Sequence, residues 1–238
     1  MVVSPTQAMG IETREDAPGS LRLVQELVNT ADLEGGTDEL DSAERVGLWL
    51  AVRGFQPAGP PVGADRERAV ALREALRQLL LANNGAASGV AAATRLAAVA
   101  GAVQLVPAAS PAGSVELRPA GRGVSALTAA VLAAIHEAQA RGTWDRLKAC
   151  PADTCRYAFY DSSRNRSGIW CTMRVCGSRA KARTYQRRLR AGRGAPDRPA
   201  RRDRAQAQAQ ADDSPAANIV AATSACSTGS QRLRPPLP

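Results

Sequence analysis

Four of the five cysteines in this 238-residue chain lie between residues 150 and 176. They form two pairs, Cys150 with Cys155 and Cys171 with Cys176, and fifteen residues separate the pairs. Such pairs can bring four thiolates to one tetrahedral centre, because each closes a tight turn and the segment between them folds back as a hairpin. The pattern favours a single zinc ion. An iron–sulfur cluster also uses thiolates but more often groups them differently, and disulfides would require an oxidising compartment.

A zinc ion held by four protein ligands has no open position for water or substrate, whereas catalytic zinc keeps one. We therefore expect the metal to stabilise this segment, and the function to be recognition. The only histidine, His136, lies beside the apolar stripe of a predicted helix. A Ser-His-Asp triad or a histidine-based metal site would depend on it alone, so the sequence predicts that the protein is not an enzyme.

The positive charge is concentrated on and just after the cysteine segment. Residues 141–204 hold 18 of the 31 Lys and Arg residues but only 5 of the 22 Asp and Glu residues, although the net charge of the chain is only +9. A segregated basic block is typical of a protein that binds a polyanion. Nearly all of the block is arginine, whose planar guanidinium can bind phosphate or a guanine edge through two hydrogen bonds.

A basic helix is predicted directly after the last cysteine, from Gly177 onward. Four arginines recur on one face at helical spacing: Arg179, Arg183, Arg187 and Arg190. Ala182, Tyr185 and Leu189 fall on the opposite face, which we expect to pack against the cysteine segment. The arginine face would lie in or along a DNA major groove. The alternative is a helix that is merely solvated, although like charges four residues apart repel without an anion between them.

A polar, basic turn from Asp161 to Ser167 is predicted between the two cysteine pairs, and it carries Arg164 and Arg166. These two residues, Lys181 and the four helix arginines are the predicted nucleic-acid contacts. Five large side chains flank the first cysteine pair: Trp144, Leu147, Tyr157, Phe159 and Tyr160. We expect them to form a small core around the metal, with stacking on nucleobases as the alternative.

The residues before the cysteine segment predict a mainly helical domain with a small β-hairpin, an α+β fold. Apolar residues recur at helical spacing near residues 21–29, 42–54, 65–80, 90–100 and 125–136. Ser20 and Ser125 are expected to cap the first and last of these helices, and Trp49 to anchor the core. Two β-like segments, 103–106 and 115–117, predict the hairpin.

Two charged features of this domain have ordinary interpretations. The arginines of the third helix, among them Arg73 and Arg77, are expected to form a solvated face paired with Glu67 and Glu74. The acidic loop 32–38 contains two glycines and is expected to be a plain turn between helices. The lip of a ligand pocket is the alternative for this loop.

These elements predict four regions: a disordered tail over residues 1–19, a helical domain over 20–141, the cysteine segment with its basic helix over 142–191, and a disordered tail over 192–238. The cysteine segment would be a small satellite of the helical domain. The fifth cysteine, Cys226, is expected to be an exposed thiol without a role.

The sequence predicts a location in the cytoplasm, associated with the nucleoid. The first residues lack the basic and apolar regions of a secretory signal. The longest uncharged stretch, Leu96 to Val115, is broken by Pro107 and Pro111, so we expect no membrane span. In a reducing cytosol, clustered thiols are more often metal ligands than disulfides.

The same residues resemble a known family, the CGNR-type zinc finger of bacterial proteins. The similar motifs are Cys150-x4-Cys155, Phe159 to Ser167, Trp170-Cys171-x-Met173 and Cys176-Gly-Ser-Arg179-x-Lys181-Ala182. In that family the finger follows an ABATE-like domain, described as a putative stress-induced transcription regulator. The residues of this chain that resemble that domain are Leu27-Val28-Asn29-Thr30, Gly35-Gly36 and Trp49-Leu50 followed by Gly54. The resemblance covers roughly residues 20–190.

The resemblance implies a zinc-dependent DNA-binding module in which the four cysteines of the two pairs are the metal ligands. The signature Cys-Gly-Asn-Arg is Cys176-Gly177-Ser178-Arg179 in this chain. Serine replaces asparagine at a position where either residue can cap a helix, so we expect the fold to persist. A base contact made by the asparagine would be lost.

We therefore expect a bacterial transcription regulator whose finger binds double-stranded DNA and whose helical domain senses a signal or mediates homodimer formation. A pocket for a small-molecule effector among the N-terminal helices is an expectation from the architecture alone. Two alternatives remain open. An RNA-binding or ribosome-associated zinc protein would use the same basic surface to read shape and backbone. A protein-interaction module would use the zinc only as a staple.

Overall fold

The computed structural model describes residues 16–87, 89–101 and 103–193. The two predicted tails lie almost wholly outside these residues, and so does Cys226. The described helices are α1 (Leu21–Val28), α2 (Ala43–Val52), α3 (Gly63–Asn83), α4 (Gly89–Ala100), α5 (Gly123–Ala140) and α6 (Ser178–Arg193). The described strands are β1 (Ala31–Asp32), β2 (Thr37–Asp38), β3 (Leu105–Ala109), β4 (Val115–Pro119), β5 (Leu147–Ala149) and β6 (Ala158–Tyr160).

The strands form three separate antiparallel pairs, β1 with β2, β3 with β4 and β5 with β6. The predicted fold class, mainly helical with a β-hairpin, is therefore confirmed, although only the β3–β4 hairpin was expected outside the cysteine segment. The described residues up to Arg187 belong to one compact unit. No helix in the described part of the chain is long and apolar enough to cross a membrane.

Aliphatic side chains from α1, α2, α3 and α5 build the main core. Leu27, Leu72, Leu76, Leu127 and Val131 are fully buried, and truncating such a side chain to alanine typically costs about 2–5 kcal/mol. Trp49 also lies in this core, as predicted, and the guanidinium carbon of Arg53 sits 3.8 Å from its ring centre. Because the chain has few aromatic residues, its helices pack mainly through leucine, valine and alanine side chains.

The helix starts show where local signals were right and where they were not. Ser42 caps α2, since its side chain accepts a hydrogen bond from the backbone N–H of Arg45 at 3.3 Å. Ser20 does not cap α1, because its hydroxyl donates instead to Glu137 on α5 at 2.7 Å. Ser125 lies inside α5, which already begins at Gly123. Both predicted caps are wrong. Ser20 binds a distant helix instead, and α5 begins two residues before Ser125.

Two arginines of α3 are buried, so the prediction of a wholly solvated arginine face is wrong. Arg73 is 4% exposed and donates to both carboxylate oxygens of Asp38 at 2.6 and 3.0 Å. Burial alone would raise the pKa of Asp38, but hydrogen bonds from Arg73 and from the N–H of Leu40 lower it. Arg77 is 2% exposed and donates to the carbonyl of Val28 at 3.0 Å. The predicted pairing with Glu74 is present for both arginines.

The β1–β2 hairpin has a preformed tip. Asp32 accepts hydrogen bonds from the N–H groups of Glu34 and Gly35 at 3.0 and 2.9 Å. A β-carbon on Gly35 would clash with the Asp32 carboxylate, and Gly36 has a φ of +68°, so both positions favour glycine. Because Arg73 binds Asp38 at the base of the hairpin, the hairpin is held against α3. Glu34 lies at its tip and is exposed.

The β5–β6 hairpin shares the core of the helical domain. Leu147, Ala149 and Ala158 are fully buried in the same apolar cluster as α1, α3 and α5. The expectation that the cysteine segment is a small satellite is therefore wrong for this hairpin. The predicted domain boundary between residues 141 and 142 stays a prediction. Residues after this boundary nevertheless pack in the core of the helices that precede it.

Side-chain amides of the helices fix the hairpin from outside the core. Asn29, at the end of α1, donates to the carbonyl of Ala158 at 3.0 Å and accepts from its N–H at 2.7 Å, as a neighbouring strand would. Asn83 donates to the carbonyls of Trp144 and Leu147, and Asn84 donates to that of Ala149. The helical domain thus sets the position of the first cysteine.

Candidate metal centre and basic surface

The first cysteine pair sits in the turn of the β5–β6 hairpin. Cys150 continues strand pairing beyond β5, since its N–H donates to the carbonyl of Tyr157 at 2.9 Å. The N–H groups of Cys155 and Arg156 both donate to the carbonyl of Ala152, at 2.9 and 3.1 Å. Arg156 adopts a φ of +53°, so the chain folds back tightly and returns Cys155 to the side of Cys150.

The second pair is placed by a π-helical turn, Met173–Gly177, that leads into α6. Thr172 caps this turn by accepting a hydrogen bond from the N–H of Val175 at 3.3 Å. A β-carbon on Gly177 would lie 2.7 Å from the Met173 sulfur and 3.3 Å from the Trp170 ring, so this glycine lets the turn close without displacing either. Such π-turns are frequent at functional sites.

Ser178, which stands where the family signature has asparagine, does not cap α6. Its hydroxyl donates to the carbonyl of Met173 at 3.0 Å and so holds the π-turn together. The capping role predicted for this position is wrong, because the turn carries the chain into α6 and Thr172 provides the cap. The expectation that the fold tolerates serine here is consistent with that hydrogen bond.

The four sulfur atoms lie close enough for one metal ion. All four are within 4.8 Å of one another, and the Cys171 sulfur is 3.5 Å from that of Cys155 and 3.6 Å from that of Cys176. A tetrahedral zinc with Zn–S bonds of about 2.3 Å needs sulfurs about 3.8 Å apart. All four are free thiols, and Cys150, Cys171 and Cys176 are buried. The donor set therefore fits zinc, and the disulfide alternative does not apply.

The ionisation of the cluster depends on a cation. Hydrogen bonds from Cys155 and Cys171 lower the pKa of Cys150, while the Cys150 sulfur raises the pKa values of Cys155 and Cys171. Burial raises the pKa of Cys176. Four clustered thiols therefore resist becoming thiolates together, and a bound divalent cation supplies the charge that lets all four deprotonate.

The large side chains near the first pair divide between two apolar clusters. Phe159 and Tyr157 pack with the cysteines, as predicted, and Trp170 joins them. Trp144, Leu147 and Tyr160 instead belong to or pack against the main helical core. For these three, the prediction of a core around the metal is wrong. Tyr160 faces the opposite side of the hairpin from Phe159, Leu147 is its partner across the strands, and Trp144 lies in a short helical turn before β5.

A buried ion pair organises the loop between the cysteine pairs, which we define as residues 161–168. The Lys148 ammonium donates to Asp161 at 2.8 Å and to the carbonyls of Arg166 and Gly168 at 2.6 and 3.1 Å. Asp161 is fully buried and also accepts from the N–H groups of Ser163 and Gly168. Burial opposes ionisation of Asp161, but these hydrogen bonds lower its pKa well below the usual range.

The two loop arginines differ in their surroundings. Arg164 is exposed at the tip of the loop. Arg166 is exposed too, but its guanidinium lies 2.6 Å from the carboxylate of Asp145. Sequence spacing predicted both as nucleic-acid contacts and gave no signal for the Asp145 pair, because that aspartate precedes β5 and reaches the loop only through the hairpin fold.

Helix α6 carries the other predicted contacts. Arg179 forms an ion pair with Glu34, at the tip of the β1–β2 hairpin, with 2.6 Å between guanidinium nitrogen and carboxylate oxygen. Lys181, Arg183 and Arg187 are exposed, and no carboxylate among the described residues lies within ion-pair distance of them. Arg190 is exposed in the following part of α6, beyond the first compact unit.

The apolar stripe of α6 is not covered by the described residues. Tyr185 is 65% exposed and Leu189 is 47% exposed, and Ala182 is exposed as well. The half-buried positions are Ala180 and Thr184, about one third of a turn around the helix from the arginine face. The prediction that this stripe packs on the finger is wrong for Ala182 and Tyr185.

Comparisons with known proteins agree with this architecture. Residues 146–189 match the family described as "CGNR zinc finger", and residues 21–146 match the ABATE family, described as "Putative stress-induced transcription regulator". No curated protein matches the chain. The zinc-finger match and the four-sulfur cluster together identify one structural zinc ion. Because the N-terminal match spans more than half of the sequence, the chain belongs to the ABATE family of putative stress-induced transcription regulators and carries a C-terminal CGNR zinc finger.

Proposed function

We propose that this zinc-binding protein is a transcription regulator that binds double-stranded DNA through α6. The observation that carries the proposal is the exposed pair Arg183 and Arg187, four residues apart on one face of α6, for which the described chain offers no acidic partner. Lys181, on another face of the helix, is exposed without such a partner as well. Like charges at this spacing on a helix destabilise it by a few tenths of a kcal/mol per pair. A row of phosphates removes that repulsion and releases counterions on binding.

The proposal gives the finger two parts with different roles. The zinc-bound cysteines and the π-turn fix the start of α6, and α6 presents the cations. Arg164 and Arg166 from the loop, Arg179 at the start of the helix and Arg190 at its later turns are the additional proposed contacts. The proposal includes no enzymatic activity, since a four-cysteine site leaves no position at the metal for a substrate.

The first test is the salt dependence of duplex binding. The double variant Arg183→Gln/Arg187→Gln removes two proposed phosphate contacts, so the slope of log K against log [salt] should become shallower by about 1.8. The matched control is Arg95→Gln/Arg122→Gln, which changes the charge equally at exposed positions on α4 and before α5. An unchanged slope in the α6 variant, or an equal change in the control, would remove α6 from the interface.

Single-stranded RNA is the second candidate partner, and exposed Tyr185 is the observation that favours it. A tyrosine beside arginines can stack on an unpaired base, which contributes about 1–3 kcal/mol per base. Tyr185→Ala should then weaken binding to single-stranded RNA about tenfold or more and leave duplex DNA binding almost unchanged. Preference for duplex DNA in the wild type, with no effect of this substitution on RNA binding, would reject the RNA candidate.

We also propose that a small effector binds in a cavity of about 380 Å³ lined by α3, α4, α5 and the segment leading into β3. Its volume is within the range of small-molecule pockets, roughly 300–1,000 Å³. Val103, Val124, Arg68 and Thr128 line it with both apolar and polar groups. Ser125→Trp should fill the cavity, so any compound that raises the melting temperature of the wild type should not raise that of this variant.

A further inference from the structure

The β3–β4 hairpin leaves apolar side chains exposed. The residues on one of its faces are Leu105, Pro107, Ala109, Val115, Leu117 and Pro119. Every residue of β4 is exposed, with Val115 at 71% and Leu117 at 40%. A two-stranded hairpin is marginally stable in water, and further strands or a covering element normally stabilise it.

Helix α5 contacts β4, yet every residue of this strand stays exposed. The hydrogen-bond phase of the hairpin shows which backbone groups point to the outer edge of each strand. The Ser110 N–H donates to Ser114 at 2.8 Å, and the Ala120 N–H donates to Gln104 at 3.1 Å, so 110/114 and 104/120 are hydrogen-bonded pairs. Bonded and non-bonded pairs alternate along an antiparallel ladder. The N–H and C=O groups of Val115 and Leu117 therefore point away from β3, to the outer edge of β4. Proline removes one outward donor from each strand, at Pro107 in β3 and at Pro119, the last residue of β4.

The other face of β4 carries two opposite charges in a self-complementary arrangement. Glu116 and Arg118 are 61% and 65% exposed, and their side chains are 3.9 Å apart. If two β4 strands pair antiparallel about a twofold axis at Leu117, Glu116 of each copy lies directly opposite Arg118 of the other. Directly opposed charges of unlike sign stabilise a strand pair, and those of like sign destabilise it.

We propose that the outer edge of β4 is a homodimer interface, in which the two hairpins join into one four-stranded antiparallel sheet centred on Leu117. The second copy provides acceptors for the Leu117 and Val115 N–H groups and continues the apolar face. The interface is isologous, as is usual for symmetric dimers. It uses no residue of α6 or of the metal centre, so it stands or fails separately from DNA binding.

Charge reversal tests this pairing in the zinc-loaded full chain. Wild-type protein should approach twice its mass of 24.9 kDa in sedimentation analysis as its concentration rises. Glu116→Arg alone and Arg118→Glu alone each place like charges opposite each other in both halves of the interface, so each should shift the protein to the monomer. The double variant Glu116→Arg/Arg118→Glu should restore the dimer, and so should mixing the two single variants.

Glu67→Arg, at an exposed site on α3, is the matched control and should sediment as the wild type does. Circular dichroism of each variant should retain the wild-type spectrum, because the changed side chains are exposed. A wild type that remains monomeric at every concentration overturns the proposal. A dimer that resists both single reversals, or one that neither the double variant nor the mixture restores, overturns the β4 pairing.

Discussion

The loop between the cysteine pairs and helix α6 both present basic residues, but different interactions surround them. In the loop, Asp161 forms a buried ion pair with Lys148 of β5, and Arg166 is paired with Asp145. In α6, Arg183 and Arg187 are exposed without an acidic partner among the described residues. The loop's charges thus help to stabilise its own conformation, whereas those of the helix have no such role.

This difference separates structural basic residues from those available to a ligand. Arg164 is the exposed exception in the loop, and Arg179, paired with Glu34, is the exception in the helix. Counting arginines along the sequence treats all of them alike. What matters for a polyanion is which cations lack an acidic neighbour, because a phosphate must displace any carboxylate that is already bound.

Cys171→Ser should have the largest effect, since it removes a zinc ligand. The zinc site holds both the end of the loop and the start of α6 in place. Metal binding contributes about 10 kcal/mol or more to folding in small zinc domains, and one missing ligand forfeits much of that. We expect loss of stoichiometric zinc by elemental analysis. We also expect a lower melting temperature of the helices, because Leu147, Ala149 and Ala158 belong to their core.

The control for this change is Cys226→Ser, which alters the one cysteine outside the predicted ligand set and should keep one zinc per chain. One zinc per chain in the Cys171→Ser protein would contradict the four-cysteine assignment. Loss of zinc with an unchanged helix melting curve would contradict the coupling between the finger and the helical core.

Asp161→Asn should disturb the loop and spare the helix. Lys148 would remain buried without its carboxylate, and removal of one partner from a buried ion pair costs about 3–5 kcal/mol. Denaturant unfolding should show a loss of that order. In this background, Arg183→Gln/Arg187→Gln should still flatten the salt slope of DNA binding by about 1.8, because α6 is unchanged. Asp145→Asn is the control, since its exposed pair with Arg166 should contribute less than about 1 kcal/mol. Equal effects of the two changes would remove the distinction between buried and exposed pairs.

Glu34→Gln should have the smallest effect, and it acts on the helix side. The substitution removes the carboxylate that a phosphate must displace from Arg179, so DNA binding should tighten several-fold while the number of phosphate contacts stays the same. Glu67→Gln on α3 makes the same charge change at an exposed site and should leave the affinity almost unchanged. Weaker DNA binding by the Glu34 variant would mean that the carboxylate positions Arg179 rather than competing for it.

Sequence patterns predicted the features that depend on nearby residues. The spacing of the four cysteines predicted their cluster, and the apolar period predicted the helices α1 to α5. The 3.6-residue period also predicted which residues of α6 share a face. Each of these signals comes from the geometry of a single element or of two tight turns.

The features that were missed depend on contacts between distant segments. Arg73 and Arg77 have the spacing of a solvated face, and only the approach of Asp38 and of the α1 carbonyl at Val28 explains their burial. Periodicity shows that Tyr185 and Leu189 share a stripe but not that a neighbour covers it. Strands β5 and β6 have three residues each, too few for a period, so their place in the helical core could not be predicted.

The position of Asn29 against Ala158 has a consequence for how such proteins can evolve. The two family matches meet at residue 146, one residue before β5, so the border between the matched segments lies next to a strand that enters the other segment's core. A recombination event at that border would join a hairpin from another protein to this α1. The asparagine and buried leucines of α1 would then face a hairpin backbone to which they are not matched. We expect the two segments to be inherited together, and chimaeras to function only when Asn29, Asn83 and Asn84 travel with the finger.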